Sequence, residues 1–320
     1  MRRLLRTGKA EAGREKSSSF GEKRATMPKA KMSVFILNAF ARTKRGGNPA
    51  GVTLDADGLS EASMQDIAAR VGLSETAFVQ KSAAADFKIR FFTPAAEVDL
   101  CGHATIAAFS LLFGLRRIAA GSYRQETKAG ILGVEVQKDG AVFMEQALPI
   151  FEKTVDRKEV AGSLGIGLAS LAPDLPVQIV STGLRDILVP VVSLSVLSGL
   201  RPDFDKIAAV SRKEEAVGYH VFCLETKYRS TAHCRNLAPL YGIPEEAATG
   251  TSSGALACYL FKHGRITEGQ ARSLVFEQGY VMRRPSEIFV RLEITGRFIK
   301  GVHVGGQATA AREKTLQMSI

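Results

Sequence analysis

This sequence of 320 residues lacks the marks of several common protein classes. No apolar run approaches the roughly 18 residues that a membrane-spanning helix needs, so we expect no membrane partner. The four cysteines are scattered and form no C-x-x-C pair. We therefore expect reduced thiols and a cytoplasmic location rather than a disulfide framework or a zinc site. The histidines do not have the spacing of metal ligands, and we predict no metal.

Motifs for phosphate and acyl chemistry are also missing. No G-x-G-x-x-G stands between a predicted strand and helix, and no G-x-S-x-G elbow is present. The glycine-rich stretch at residues 248–254 is not followed by the Lys of a Walker sequence. The remaining reactive groups are carboxylates, an imidazole and a thiol. They favour proton transfer without a cofactor.

The net charge of +11 is concentrated at one end of the chain. Residues 1–31 contain ten Lys and Arg against three Glu, and they show almost no apolar periodicity. We interpret them as a disordered basic arm or an artefact of the chosen start codon. The rest of the chain is close to neutral, so we expect no nucleic-acid partner.

The most informative stretch is RFFTPAAEVDLCGHATIAAF, residues 90–109. It predicts a strand, a tight turn and then a buried helix that begins near Cys101. A helix N-terminus offers free backbone N–H groups and a partial positive charge, which together suit an anionic ligand group. Cys101 is interpreted either as a nucleophile or, more simply, as a small buried residue.

A counterpart of this stretch occurs in the second half of the chain. The sequence at Arg90–Pro94 resembles that at Arg235–Pro239, and an acidic turn follows each. Each turn leads into a small-residue loop and a helix start, CGHATIAAFSLLF in one half and ATGTSSGALACYLF in the other. We infer two lobes of one plan, with two helix N-termini facing a shared cleft.

Local patterns predict further elements. Residues 59–71 have helical spacing, with Ser60 as N-cap. Residues 39–52, rich in Gly, Asn and Pro, are predicted to be a loop, and residues 147–156 a connector. Glu75 precedes an apolar strand, where partial desolvation predicts a raised pKa. His103 lies in a helix first turn, where the neutral imidazole is expected.

Seven motifs, taken in order, resemble those of the phenazine-biosynthesis-like (PhzF-like) family. They are GNPAGV (47–52), SETAFV (74–79), FFTPAAEVDLCGHAT (91–105), STGLRDILVPV (181–191), GIPEEAATGTSSG (242–254), EQGYVMRRPSEI (277–288) and VHVGG (302–306). The resemblance covers about residues 33–310 and implies an α+β fold like that of diaminopimelate epimerase. In this fold two pseudo-symmetric lobes each roll a mostly antiparallel sheet around a central helix. We expect lobes at residues 32–152 and 153–299, with a C-terminal strand within residues 300–320 completing the first.

The resemblance also implies a function. Family members are cofactor-independent, are commonly homodimers, and include enzymes that isomerise trans-2,3-dihydro-3-hydroxyanthranilate by moving a proton. It places the general acid/base at Glu75, an assisting His at His103, and a further catalytic carboxyl at Glu246, where the family usually has Asp. A small carboxylate substrate would be held by Asn48, Gly102, Ala104, Thr105, Thr249, Gly250, Thr251 and Ser252.

Two other functions stay open. An amino-acid racemase or epimerase could use Cys101 with Glu75, although Thr249 stands where a second thiol would be expected. A non-catalytic small-molecule-binding member of the family is the other alternative.

Overall fold

A computed structural model describes residues 29–319 of the chain. The predicted basic arm therefore lies mostly outside the described residues. Its last three residues, 29–31, instead begin the first strand. The helices described between Lys29 and Ser319 are all too short or too polar to cross a bilayer.

The elements of the two halves follow in chain order. The first half contains β1 (Lys29–Ala39), β2 (Asn48–Thr53), α1 (Glu61–Val71), β3 (Thr76–Gln80), β4 (Phe87–Phe92), β5 (Glu97–Val98), α2 (Gly102–Gly114), β6 (Gly121–Thr127), β7 (Gly130–Val136), β8 (Val142–Gln146) and β9 (Ile150–Thr154). The second contains α3 (Arg157–Ser163), β10 (Gln178–Ser181), β11 (Arg185–Pro190), α4 (Leu194–Gly199), α5 (Phe204–Lys213), β12 (Gly218–Cys223), β13 (Ala232–Ala238), β14 (Ile243–Glu246), α6 (Gly250–Lys262), α7 (Glu268–Ala271), β15 (Leu274–Gln278), β16 (Ser286–Thr295), β17 (Phe298–Gly306) and β18 (Arg312–Ser319).

The strands pair in the same order twice. In the N-terminal lobe, β1, β2, β3, β4, β6, β7 and β8 are successive neighbours, and β5 pairs with β4. In the C-terminal lobe, β10, β11, β12, β13, β15, β16 and β17 repeat this order, and β14 pairs with β13. Even the directions match, because β2–β3 and β11–β12 are both parallel. The predicted α+β class with two pseudo-symmetric lobes is confirmed.

Each lobe receives one strand from the other half of the chain. β9 leaves the first half and pairs antiparallel with β10, while β18 leaves the second half and pairs antiparallel with β1. A further antiparallel pair, β8–β17, joins the two sheets. The exact lobe boundaries stay a prediction, since strand pairing alone does not define folding units.

A mostly apolar helix fills each rolled sheet. α2 contacts β1, β2, β3, β7 and β8, and α6 contacts β10, β11, β16 and β17. Most residues of both helices are buried, as their apolar composition on all sides requires. The two helices also contact each other. Their N-termini therefore lie at the junction of the lobes.

An arginine–carboxylate pair recurs at the same place in both lobes. Arg90 on β4 donates from Nε and Nη2 to the two carboxylate oxygens of Glu97, over 2.7 and 2.8 Å. Arg235 on β13 donates in the same way to Glu245, over 3.0 and 2.8 Å. Bidentate pairs of this kind have a fixed geometry, so each ties its strand to the turn that leads into the helix. The internal repeat in the sequence thus corresponds to a repeated structural unit.

Two predictions of local structure were wrong. Residues 48–52 lie within the predicted loop but belong to β2, because Ala50 and Val52 are buried and the strand pairs with both β1 and β3. The predicted connector at residues 147–156 contains β9. In both cases pairing with another strand overrides a local signal, from Gly and Pro in the first and from Pro149 in the second.

Candidate active site

A cavity of about 570 Å³ lies between the lobes, which is within the range of small-molecule sites. Gly102 and His103, at the start of α2, line it from one side. Gly250 and Thr251, at the start of α6, line it from the other side, together with Thr182. Both helix N-termini therefore border the same space, as the repeat predicted.

Glu75 and His103 contact each other at the edge of this cavity, which His103 lines. Glu75 immediately precedes β3, and its carbonyl oxygen accepts a hydrogen bond from the backbone N–H of Gly51. Its Oε2 lies 3.2 Å from Nε2 of His103, whose side chain is only 9% exposed against 21% for Glu75. The hydroxyl of Ser74 lies 3.3 Å from the same nitrogen. The structure thus brings together the two residues that were expected to act together.

The ionisation of this pair differs from the expectation. Burial alone would raise the pKa of Glu75, but the hydrogen bond and the charge of His103 outweigh it and lower the pKa. Burial alone would lower the pKa of His103, but its contacts with Cys101 and Glu75 raise it above the ordinary value. The expected raised pKa of Glu75 and the expected neutral imidazole were therefore both wrong. The cause is that Cys101 and then Glu75 raise the pKa of His103, while His103 lowers that of Glu75.

Cys101 is a buried member of the same cluster. Its Sγ lies 3.4 Å from Nδ1 of His103 and 4.0 Å from Nε2. Burial raises the pKa of this thiol, although the charge of His103 acts in the opposite direction. The protonated thiol is thus the favoured form, which fits the simpler interpretation of Cys101 as a buried residue better than that of a ready nucleophile.

Glu246 is held by hydrogen bonds from both lobes. Its Oε1 accepts from Nδ2 of Asn48 over 2.9 Å, and its Oε2 accepts from the hydroxyl of Thr249 over 2.5 Å. Burial raises its pKa, whereas the charge of His103 lowers it and that of Glu75 raises it. Glu246 is therefore electrostatically coupled to the Glu75–His103 pair.

Gln278 supports this corner and was missed from the sequence. Its side-chain amide donates to the backbone oxygen of Glu246 over 2.8 Å and to Oγ1 of Thr249 over 3.0 Å. Its Oε1 accepts from the backbone N–H of Thr249 over 3.2 Å. Its place in the motif EQGYVMRRPSEI was the only signal in the sequence, because helices α6 and α7 lie between Glu246 and Gln278 along the chain.

The other expected substrate-binding residues fall into two groups. Gly102, Gly250 and Thr251 line the cavity, as described above. Ala104 and Thr105 are buried within α2, and the hydroxyl of Thr105 donates to the backbone oxygen of Cys101 over 2.9 Å. The hydroxyl of Ser252 is also turned inward, as described next. None of these three lines the cavity, and the backbone N–H of Thr105 already donates to the backbone oxygen of Cys101 over 3.0 Å.

A buried polar network lies beneath the first turn of α6, and the sequence did not reveal it. The hydroxyl of Ser252 donates to Oδ2 of Asp186 over 2.8 Å and accepts from Nδ2 of Asn236 over 3.1 Å. The same amide nitrogen lies 3.2 Å from Nδ1 of His220. Nε2 of His220 is buried and finds no hydrogen-bond partner among the residues that the structure describes.

Desolvation dominates the ionisation of this network. Burial raises the pKa of Asp186 to about 7, although its hydrogen bond from Ser252 acts the other way. Burial lowers the pKa of His220 to about 3, so its imidazole is neutral at physiological pH. The network therefore holds a carboxyl that changes its charge near neutral pH.

The family is decided by comparison with known proteins. The family model PhzC-PhzF, phenazine biosynthesis-like protein, matches residues 37–314. This chain belongs to the PhzF family. One relative is the uncharacterized isomerase YfhB of Bacillus subtilis (strain 168), 36% identical over 292 residues that cover 89% of this chain and 98% of YfhB. Another is the trans-2,3-dihydro-3-hydroxyanthranilate isomerase of Pseudomonas chlororaphis, 31% identical over 298 residues that cover 88% of this chain and 98% of that enzyme.

Solved structures show the same relationship. The PhzF-family phenazine biosynthesis protein of Bacillus anthracis is 33% identical and superposes with a TM-score of 0.81, covering 90% of this chain and all of that one. A hydroxyproline epimerase of Agrobacterium vitis is 13% identical with a TM-score of 0.59, over 91% of this chain and 93% of that one. The hydroxyproline epimerase therefore shares the fold of this chain. At 13% identity, this similarity concerns the fold alone.

Proposed function

We propose that the protein is a cofactor-independent isomerase that moves a proton on a small carboxylate substrate, with Glu75 as general acid/base. The observation that carries this proposal is the position of Glu75 against His103, which lines the cavity bordered by both helix N-termini. The isomerase names of the relatives support the same reaction class.

The mechanism follows from these positions. The carboxylate of Glu75 removes a proton from an acidic C–H bond, and the protonated Glu75 returns it to another carbon of the substrate. Free backbone N–H groups at the starts of α2 and α6 hold the substrate carboxylate and stabilise the negative charge that develops on the carbon framework. His103 orients Glu75, and Glu246 adds a second carboxyl from the other lobe.

Glu75→Gln tests the assignment directly. The amide keeps the shape of the side chain but cannot take up a proton, so turnover should fall by about 10²–10⁴-fold, the usual contribution of a positioned acid or base. Turnover is measured on trans-2,3-dihydro-3-hydroxyanthranilate and, by deuterium exchange from solvent, on a panel of cyclic and amino-acid carboxylates.

The matched control is Glu268→Gln, an exposed change on α7. It should keep full turnover, and circular dichroism should show native folding for both variants. Full turnover of Glu75→Gln on any substrate of the wild type would exclude Glu75 as the base. If the wild type exchanges no proton of any bound carboxylate, the non-catalytic alternative is favoured.

A racemase remains a second candidate, because Cys101 lies beside His103 and Glu75 in one cluster. Cys101→Ser separates the two functions. If Cys101→Ser loses α-proton exchange on an amino acid but still isomerises a cyclic carboxylate, the thiol takes part only in the α-proton exchange.

The homodimer and the cytoplasmic location stay predictions. Light scattering coupled to size-exclusion chromatography tests the first: a mass of twice the monomer's 34.4 kDa is expected. Cell fractionation tests the second.

A further inference from the structure

Asp186 on β11 lies beneath the first turn of α6. Its Oδ2 accepts a hydrogen bond over 2.8 Å from the hydroxyl of Ser252, the third residue of that helix. Asp186 is only 2% exposed, and Ser252 is the one side-chain partner of its carboxyl among the residues that the structure describes. Burying a carboxylate that no cation pairs is costly, so this group gains its charge less readily than an exposed Asp does.

The same helix turn offers free donors to the cavity. The first backbone hydrogen bond of α6 runs from the N–H of Ser253 to the carbonyl oxygen of Thr249. The N–H groups of Gly250 and Thr251 precede it and find no acceptor among the described residues, and the side chain of Thr249 does not cap the helix. Gly250 and Thr251 also line the cavity. These two N–H groups are therefore available to a substrate carboxylate.

Few positive charges face the cavity. None of the described residues that line it is Lys or Arg. A bound carboxylate therefore depends on His103 and on the partial positive charges of the two helix N-termini. A negative charge beneath the first turn of α6 offsets one of these partial charges.

No neighbouring group compensates a charge on Asp186. Its register partners, Val180 on β10 and Gly218 on β12, do not titrate. Burial lowers the pKa of His220 on β12 to about 3, so this imidazole stays neutral. The charge of Glu246 on β14 has the same sign as that of Asp186 and acts with burial to raise the pKa of Asp186 to about 7. The charge beneath α6 therefore changes near neutral pH.

We propose that Asp186 is a positioning residue for carboxylate binding, which holds Ser252 and the first turn of α6 in place and weakens the binding when it ionises. Oδ2 can accept from Ser252 whether or not the other oxygen carries a proton, so ionisation changes the charge of the site rather than its shape. The carboxyl proton leaves to solvent. Affinity for a carboxylate is thus highest below about pH 7 and falls as the pH rises through this value. The binding of the substrate carboxylate at this turn rests on the proposed function.

Calorimetric titration with anthranilate, a cyclic carboxylate, tests the charge effect without turnover. Asp186→Asn keeps an acceptor oxygen for Ser252 but cannot ionise. Between about pH 5.5 and 8.5, the affinity of the wild type should fall about 10-fold relative to that of this variant, because two negative charges repel each other across one helix turn. The comparison cancels the titration of other groups of the site, such as His103. A ratio of affinities that stays constant with pH would overturn the charge effect.

Two further variants complete the test. Asp205→Asn, an exposed change on α5, is the matched control and should follow the wild type at every pH. Asp186→Ala removes the acceptor as well as the charge, so it should bind anthranilate about 5-fold more weakly than Asp186→Asn at both ends of the pH range. Circular dichroism should show native folding for all three variants. Equal affinities of Asp186→Ala and Asp186→Asn would overturn the positioning role.

Steady-state kinetics on the substrate that the panel identifies adds a readout that a purely structural role would not move. The KM of the wild type should rise with pH relative to that of Asp186→Asn, whereas the two kcat values should stay within about 2-fold of each other. A difference that appears in kcat alone would overturn the assignment to binding. Failure of the Glu75→Gln test concerns the chemical step and is distinct, because anthranilate binding requires no proton transfer.

Discussion

The two lobes share a backbone plan but differ in the side chains beneath their central helices. When the strands are aligned on Arg90 and Arg235 and the helices on their first residues, four polar residues of the C-terminal lobe lie opposite four apolar ones of the N-terminal lobe. The pairs are Ala50 and Asp186, Ala77 and His220, Phe91 and Asn236, and Ala104 and Ser252. All four N-terminal residues are fully buried.

The two lobes therefore differ in how they support their central helices, although their backbones follow the same plan. The N-terminal lobe supports α2 with apolar packing and presents Glu75 and His103 at the cavity. The C-terminal lobe supports α6 with a hydrogen-bonded network whose members need one another to be satisfied. Pseudo-symmetry of the backbone therefore does not imply symmetry in stability or in response to pH.

Arg235→Ala is expected to have the largest effect on stability. Arg235 is 6% exposed and also donates to the backbone oxygen of Leu197, so its loss leaves Glu245 and this carbonyl without a buried partner. We expect a decrease of about 3–5 kcal/mol in the free energy of unfolding. Urea denaturation followed by circular dichroism measures it.

Arg90→Ala is the matched change in the other lobe. Arg90 is 20% exposed, and Glu97 keeps an ion pair with Lys128 at 2.9 Å. Its cost should be about 1 kcal/mol, because Arg90 itself is partly exposed and Glu97, although only 7% exposed, keeps its pair with Lys128. Equal losses of unfolding free energy for Arg90→Ala and Arg235→Ala would show that burial does not determine how much each ion pair contributes to stability.

Asp186→Asn should change the pH dependence of stability. The pKa of Asp186 is raised from 3.8 to about 7, so the folded state binds this proton more tightly than the unfolded state. Its contribution to stability is present below about pH 4 and is lost as pH rises to 7. At about 1.4 kcal/mol per pKa unit, the wild type should lose about 2–3 kcal/mol more than the variant between pH 5 and 7.

Urea denaturation at several pH values measures this difference, and Asp205→Asn, an exposed change on α5, is the control. The control should follow the wild type. Parallel pH curves for the wild type and Asp186→Asn would mean that Asp186 does not titrate in this range.

Ser252→Ala should have a smaller effect than Arg235→Ala and an effect similar to that of Arg90→Ala. It copies Ala104, and it leaves Asp186 and Asn236 without their shared hydroxyl, at a cost of about 1–2 kcal/mol. The reciprocal change, Ala104→Ser, adds a hydroxyl to apolar surroundings and should cost a similar amount. Thermal denaturation compares them, and a stabilised Ser252→Ala would show that the network is not needed for folding.

Local sequence patterns predicted the elements with strong internal signals. The apolar compositions of α2 and α6 and the repeated Arg–turn–helix plan identified the two lobes and the cleft. The pairing of Glu75 with His103 came from the family resemblance, because no local pattern relates residues 28 positions apart.

The remaining features depend on partners that lie far apart in the sequence. β2 is a strand because β1 and β3 flank it, although Pro49 and Gly51 weaken its local signal. The pKa shifts of Glu75 and His103 are opposite to those expected because they depend on contacts among Cys101, His103 and Glu75. Asp186 acquires its role only when β11 meets α6, and Gln278 only when β15 meets the turn before α6, so the sequence around each is uninformative.

The exchange of end strands has a consequence for folding during synthesis. β18 pairs with β1 along eight residues, and these two strands stand at opposite ends of the described chain. While the ribosome is still making the second half, β1 has an unpaired edge, which is a site for mispairing with other chains. The first lobe to be synthesised is thus the last whose sheet can be completed.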